Sequence, residues 1–261
     1  MGETALPRQT IHLGVLLATE VQLLDLACVD IFASASHEYL SLLNLVPAPI
    51  KNLAPSVKIY YVSSAQPGTL LPLTAGLSIA STHHLSDPLV QPGKLDIVLV
   101  PGPDPNATWE DSITDWLAAQ AKDTRTDILS VCTGVYLCGA AGLLRGKQVS
   151  GPRGLQGGLK NKFPDQDVKW VGESLRWVQD GNFWSCGGVT NGNDLVAAYM
   201  RACNDKFPGP VAEFALVLTE TGDRSQRYEK GTVRFTLGVV WQILKALFLG
   251  MRTGKGKGKS E

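Results

Sequence analysis

The chain has 261 residues, 44% hydrophobic and 18% charged, and its 24 basic side chains balance 24 acidic ones. That is a globular composition, long enough to bury a full core, and its zero net charge offers no global field to steer nucleic acid toward it. The five cysteines include no C-x-x-C pair, the four histidines have no metal-ligand spacing, and residues 1–9 contain no apolar leader core, so the expectation is reduced thiols, no metal and a cytoplasmic location.

In chain order, residues 12–17 form a short unbroken apolar run, read as a buried strand. Residues 41–56 contain three prolines and read as a surface insertion between a helix and a strand. Residues 57–62 are rich in β-branched and aromatic types, and residues 96–100 are apolar and end at Pro101-Gly102-Pro103. Both read as strands covered on two faces, as in a parallel sheet. Residues 109–122 open with acids and carry helical spacing. Strands alternating with helices predict a doubly wound α/β domain over residues 11–210, followed by an extension over 211–261.

A fourth apolar run, 128–131, stops at Cys132. Ser130 and Gly134 supply the small residues that a sharp strand-to-helix turn needs on either side of a nucleophile. A thiol at the first turn of a helix feels the positive end of the dipole, which favours thiolate. The competing reading is a small hydrophobe in a buried turn. Further on, Asp180-Gly181 between β-rich runs signals a hairpin. Residues 190–194 offer caps for a helix over 195–204, with Asn191 and Asn193 read as caps rather than ligands.

Residues 235–251 are apolar with Lys245 as their single charge, and a basic, Gly-rich stretch read as flexible follows. Three readings stand for this end of the chain. It is a helix packed on its own domain or at a dimer interface, an interfacial helix whose basic tail touches anionic membrane, or, ranked last, a true span.

Several of these segments together resemble the ThiJ/PfpI superfamily, the isocyanide hydratase branch most of all. The residues that carry the resemblance are Glu20-Val21-Gln22-Leu23-Leu24-Asp25, Val100-Pro101-Gly102, Ser130-Val131-Cys132-Thr133-Gly134 with Ala140-Ala141-Gly142-Leu143-Leu144, and Asp180-Gly181-Asn182 with Gly187-Gly188-Val189-Thr190. The match spans roughly residues 11–205. It implies a flavodoxin-like sheet sandwiched by helices, a homodimer, no cofactor, and a small-molecule substrate. It also sets Asp25 beside Cys132, where other branches have a glutamate. A carboxyl packed against a thiol in an apolar pocket has a raised pKa and can move a proton. Without the resemblance, Asp25 also reads as a helix cap. Thr133 is a candidate for stabilising charge through its amide. Gly102, Arg153 and Gly134 are candidate substrate contacts.

Three departures from the family pattern bear on function. Pro103 stands where a second glycine usually lends an amide to an oxyanion site, and proline has no N–H to lend. Ser150-Gly151-Pro152-Arg153 stands where many relatives carry Thr-Thr-His-Trp, and none of His12, His37, His83 or His84 is a clear replacement for that histidine. Arg153 itself suits a substrate carboxylate or phosphate, or else a surface or dimer salt bridge. The leading expectation is a cysteine-dependent hydratase acting on a small electrophile. The alternatives are a redox-sensing or ligand-binding domain using Cys132, and a glyoxalase- or deglycase-like activity that the missing histidine weakens. About 50 residues after Asn204 are too few for a two-motif DNA-binding domain, which disfavours a nucleic-acid partner.

Overall fold

The structure is a computed structural model, which describes residues 8–229 and 231–254. It contains two compact units, divided between Gln226 and Arg227. The first half of the larger unit runs β1 (Thr10–Leu16), α1 (Leu23–Leu26), α2 (Val29–Ser34), α3 (His37–Leu42), α4 (Ala48–Leu53), β2 (Ser56–Ser63), the hairpin β3 (Leu70–Leu73) and β4 (Leu77–Ala80), β5 (His83–His84) and β6 (Ile97–Val100). The second half runs α5 (Asp111–Lys122), β7 (Asp127–Val131), α6 (Gly134–Ala140), β8 (Gln148–Val149), α7 (Gln156–Lys162), β9 (Lys169–Trp170), β10 (Trp177–Asp180), β11 (Phe183–Cys186), α8 (Asn191–Ala202) and α9 (Gly209–Leu218). The smaller unit contains one helix, α10 (Thr232–Gly254).

Seven strands form one sheet in the order β10-β11-β7-β6-β1-β2-β5. Every pairing is parallel except β10 with β11, where Gly181, at φ 62°, turns the predicted hairpin. Side-chain alternation sorts the strands onto two cores, because successive residues face opposite sides of a sheet. Ile11, Leu13, Val15, Ile97, Leu99, Leu129, Val131 and Trp184 bury against α2, α8 and α9. Val98, Val100, Ile128 and Phe183 bury on the other face against α5, α6 and α7. Both faces of β6 are fully covered, which is why its sequence is an unbroken apolar run. The result is the expected flavodoxin-like layering of helix, mostly parallel sheet and helix.

Several sequence expectations shift in detail. The predicted insertion at 41–56 contains α4 and contributes Val46 and Ala54 to the core, so it is packed rather than merely superficial. Helix α8 begins at Asn191, four residues before the expected start, so Asn191 and Asn193 sit in its first turn and neither is the N-cap. The larger unit continues past the expected boundary at 210, because Val211, Ala212, Ala215 and Leu216 of α9 bury in the same core as the sheet. The sequence pattern of α9 alone carried no sign of which core its apolar residues would join.

A clamp that the sequence did not reveal holds α8 in place. Arg224 grips the carboxylate of Asp194 with two bonds, Nη2 to Oδ2 at 2.6 Å and Nε to Oδ1 at 3.0 Å, and also donates to the Thr190 carbonyl at 2.7 Å. Asp194 is 4% exposed, and burial raises its pKa even with the guanidinium beside it. Replacing Arg224 by alanine would leave that carboxyl buried without its ion pair. The expected outcome is a loss of about 1–3 kcal/mol in urea unfolding at pH 7, less than for a fully buried pair because Arg224 is partly solvated. An unchanged unfolding midpoint would show that the clamp adds nothing.

Candidate active site

Cys132 follows directly on β7 and precedes α6, with φ at 55°. A residue with a side chain in this left-handed region costs of order 1–3 kcal/mol, so the flanking strand and helix must hold it there. The packing leaves little choice of neighbours. A β-carbon on Gly134 would overlap the Val100 carbonyl oxygen of the adjacent strand. Ser130, two residues before the cysteine, is 1% exposed. Together these make the predicted elbow, and Cys132 protrudes from it at 9% exposure.

The carboxyl partner comes from a different strand. After β1 the chain crosses the mouth of the sheet, where Gln22 N–H donates to the Gly102 carbonyl at 3.0 Å. The β3–β4 hairpin holds this crossing from the other side. Leu23 N–H donates to Thr74 Oγ1 at 2.9 Å, and Thr74 N–H donates to the Val21 carbonyl at 3.1 Å. The short helix α1 then carries Asp25 inward, fully buried. Gly102 N–H donates to Asp25 Oδ2 at 3.1 Å, while Oδ1 takes no hydrogen bond. The Cys132 thiol lies against this carboxyl.

Burial dominates the electrostatics. It raises the Asp25 pKa to about 7, against the opposing pull of the thiol and the Gly102 amide. Burial, and next the charge of Asp25, push the Cys132 thiol up to about 12, against the Thr133 amide. This corrects the expectation of a resting thiolate: α6 is only seven residues long, and its dipole does not offset the loss of water. In the resting site the thiol keeps its proton, and the carboxyl changes charge near neutrality. The neighbouring thiols of Cys28 and Cys186 are buried and pushed up by that burial, as packing residues would be.

A cavity of about 320 Å³ opens above the pair, lined by Glu20, Gln22, Asp25, Thr74, Gly102, Pro103, Asp104, Pro105, Cys132 and Thr133. It lies at the carboxyl ends of β1, β6 and β7. The chain switches direction across the sheet between β1 and β6, which is where open α/β sheets take ligands. The structure therefore brings Cys132, Asp25, Thr133 and Gly102 together. Gly102 does so in an unexpected role: its amide is committed to Asp25, so it orients the carboxyl instead of facing substrate. Pro103 has no N–H, and its carbonyl accepts the Thr133 hydroxyl at 2.7 Å. Gly134 packs behind the elbow, and Arg153 begins a short turn at 153–155; neither is among the residues lining the cavity. His12, which hydrogen-bonds Tyr60 through Nδ1 at 2.8 Å, sits at the opposite end of β1. Thr74 and Asp104 were missed, because lone polar residues in loops carry no sequence signal until the fold gathers them, and Glu20 stood in the segment that carries the resemblance without being assigned to the site. Among the described residues no cluster of His, Cys, Asp or Glu could hold a metal ion.

Comparison with known proteins bears on the family and the fold. The DJ-1/PfpI family model matches residues 46–202, more than half of the chain. The isonitrile hydratase of Pseudomonas putida is 31% identical over 191 residues, covering 71% of this chain and 69% of that protein. A ThiJ/PfpI family protein from Pseudomonas syringae superposes with a TM-score of 0.63 at 18% identity, over 93% of this chain and 90% of that one. Drosophila melanogaster DJ-1beta superposes with a TM-score of 0.60 at 13% identity, over 81% and 98% of the two chains. Those two likenesses concern the fold, whereas the family match and the identity to the hydratase concern the sequence itself. With a cysteine on a strained elbow at the end of a parallel strand and a buried carboxyl against it, this chain belongs to the DJ-1/PfpI family.

Proposed function

We propose that the chain is a cofactor-free hydratase that converts a small isocyanide to an N-substituted formamide. The observation that carries this reading is the buried Asp25 carboxyl against the protonated Cys132 thiol, in a cavity whose lining contains no histidine. The thiol proton passes to Asp25 as sulfur attacks the terminal carbon of the isocyanide. Asp25 then delivers that proton to the same carbon, giving a thioimidate. Water adds to the thioimidate carbon, the carbon–sulfur bond breaks, and protons return to sulfur and reach nitrogen. The sum is isocyanide plus water to formamide.

The departures from the family pattern support this chemistry over acyl transfer. Negative charge in the first step develops on carbon and is quenched by a proton, so a donor aimed at an oxyanion is not needed there. The Gly102 amide is occupied and Pro103 has none, which leaves an acyl-transfer site short of donors. A glyoxalase-like reaction is disfavoured because the histidine that such relatives use as a second base has no counterpart in the cavity lining. A peroxide sensor would favour a low-pKa thiol, and burial has raised this one.

Charge refines the choice of substrate. Glu20, Asp25 and Asp104 line the cavity, and no Lys or Arg does. Isocyanides with neutral or ammonium-bearing substituents are therefore preferred over those bearing a carboxylate. Two solvent-facing carboxylates at the mouth should disfavour isocyanoacetate by roughly tenfold in kcat/KM against a neutral analogue of equal size. The test is formamide production followed by liquid chromatography across such a series, with mass spectrometry of Cys132 for the trapped adduct. No formamide above the protein-free rate would sink the hydratase reading. Preferred turnover of isocyanoacetate would overturn the charge preference alone.

A further inference from the structure

The zero net charge of the chain hides a segregation. Lys230, Arg234, Lys245, Arg252, Lys255, Lys257 and Lys259 all fall between residues 230 and 260, a span with no aspartate or glutamate. Of the 24 acids, 23 precede Lys230, so the α/β unit is anionic and its C-terminal extension strongly cationic. Such an asymmetry within one chain points to an anionic surface as partner.

Helix α10 gives that charge a form. At 100° per residue, Val233, Leu237, Val240, Leu244 and Leu247 share one broad face, and Arg234 and Lys245, eleven residues apart, fall together in a stripe about 100–120° round from its centre. The Lys245 ammonium lies 5.3 Å from the centre of the Trp241 ring, which sits at the border between the face and the stripe. A wide apolar face, a cationic stripe along one edge of it and an aromatic at the boundary are what a helix needs to lie in a membrane interface. Among the described residues no helix is long and apolar enough to cross a membrane. Nucleic acid would neutralise the cations but would leave the apolar face uncovered.

We infer that α10 docks in the plane of an anionic phospholipid surface. The apolar face enters the acyl boundary and the cations meet the headgroups, which tethers the catalytic unit to the membrane. The inference is independent of the hydratase reading, since none of the residues it uses lines the Cys132 cavity.

The experiment is co-sedimentation of the full chain with vesicles of phosphatidylcholine, alone or with 30 mol% phosphatidylserine, at low and high salt. Binding is expected only to the phosphatidylserine vesicles, and it should weaken in high salt. Each cation near the surface strengthens binding about fivefold, so Arg234→Gln with Lys245→Gln should weaken it by roughly 25-fold. Leu237→Asp with Leu244→Asp should abolish it, with the reaction at Cys132 unchanged. Equal binding to both vesicle types, or binding to neither, would overturn the inference. So would a drop in the light-scattering mass of the Leu237→Asp/Leu244→Asp variant without vesicle binding by the parent, which would assign the face to a second copy. Binding to RNA that the Arg234→Gln/Lys245→Gln pair removes, with no vesicle binding, would assign the cations to nucleic acid.

Discussion

Cys132→Ser is expected to lower formamide production by on the order of 10⁴-fold or more while leaving the unfolding midpoint close to that of the parent. The serine hydroxyl is a far weaker nucleophile than a thiol, and the only base beside it is a carboxyl whose pKa is about 7. Serine is close in size to cysteine and can adopt the same φ of 55°, so the elbow itself should survive. The measurement is single-turnover kinetics with a neutral isocyanide, paired with urea unfolding of the same preparation. A variant that retains more than a few per cent of turnover would remove the sulfur from the mechanism, because no other thiol lines the cavity.

Asp25→Asn separates the two tasks of the carboxyl. The amide can still accept from Gly102 N–H, but it cannot take the thiol proton, so turnover should fall by roughly 10²-fold or more. In the parent protein kcat/KM should rise as pH passes about 7, the value to which burial raises Asp25. The active form is the thiol–carboxyl pair holding one proton, and that pair titrates as a unit. The variant should lack this rise.

The same substitution carries a stability signature of defined sign. The folded protein keeps the Asp25 proton up to about pH 7, whereas the unfolded chain releases it near pH 4. Stability from this group is therefore fully present below pH 4 and is lost as pH rises from 4 to 7. An asparagine side chain never ionises, so at pH 8 the Asp25→Asn variant should be more stable than the parent by about 2–4 kcal/mol, a difference that shrinks toward pH 4. Equal stability at both pH values would mean that the carboxyl is solvated and that its pKa is not raised. A site that is less stable for being active is what a buried, ionisable catalytic group predicts.

The sequence by itself determined the layers and the turn that carries Cys132. Unbroken apolar runs at 97–100 and 128–131 fit strands covered on both faces, and small residues around Cys132 fit a tight turn. The side-chain alternation of a strand and the steric demand of an elbow are local, so they are legible one segment at a time. The pairing of Asp25 with Cys132 came from the family resemblance and not from spacing, since 107 positions of chain separate them. Tertiary structure alone decided the rest. It turned the Gly102 amide toward Asp25, it gathered Glu20, Thr74 and Asp104 around one cavity, and it left Arg153 outside that lining. It extended the α/β unit through α9 to Gln226, and it tied Arg224 to Asp194 across 30 residues. It also reversed the expected charge state of the cysteine. A helix dipole can be read from a strand-to-helix turn, but the water excluded from around that turn depends on every element packed over it, and here desolvation is the larger effect.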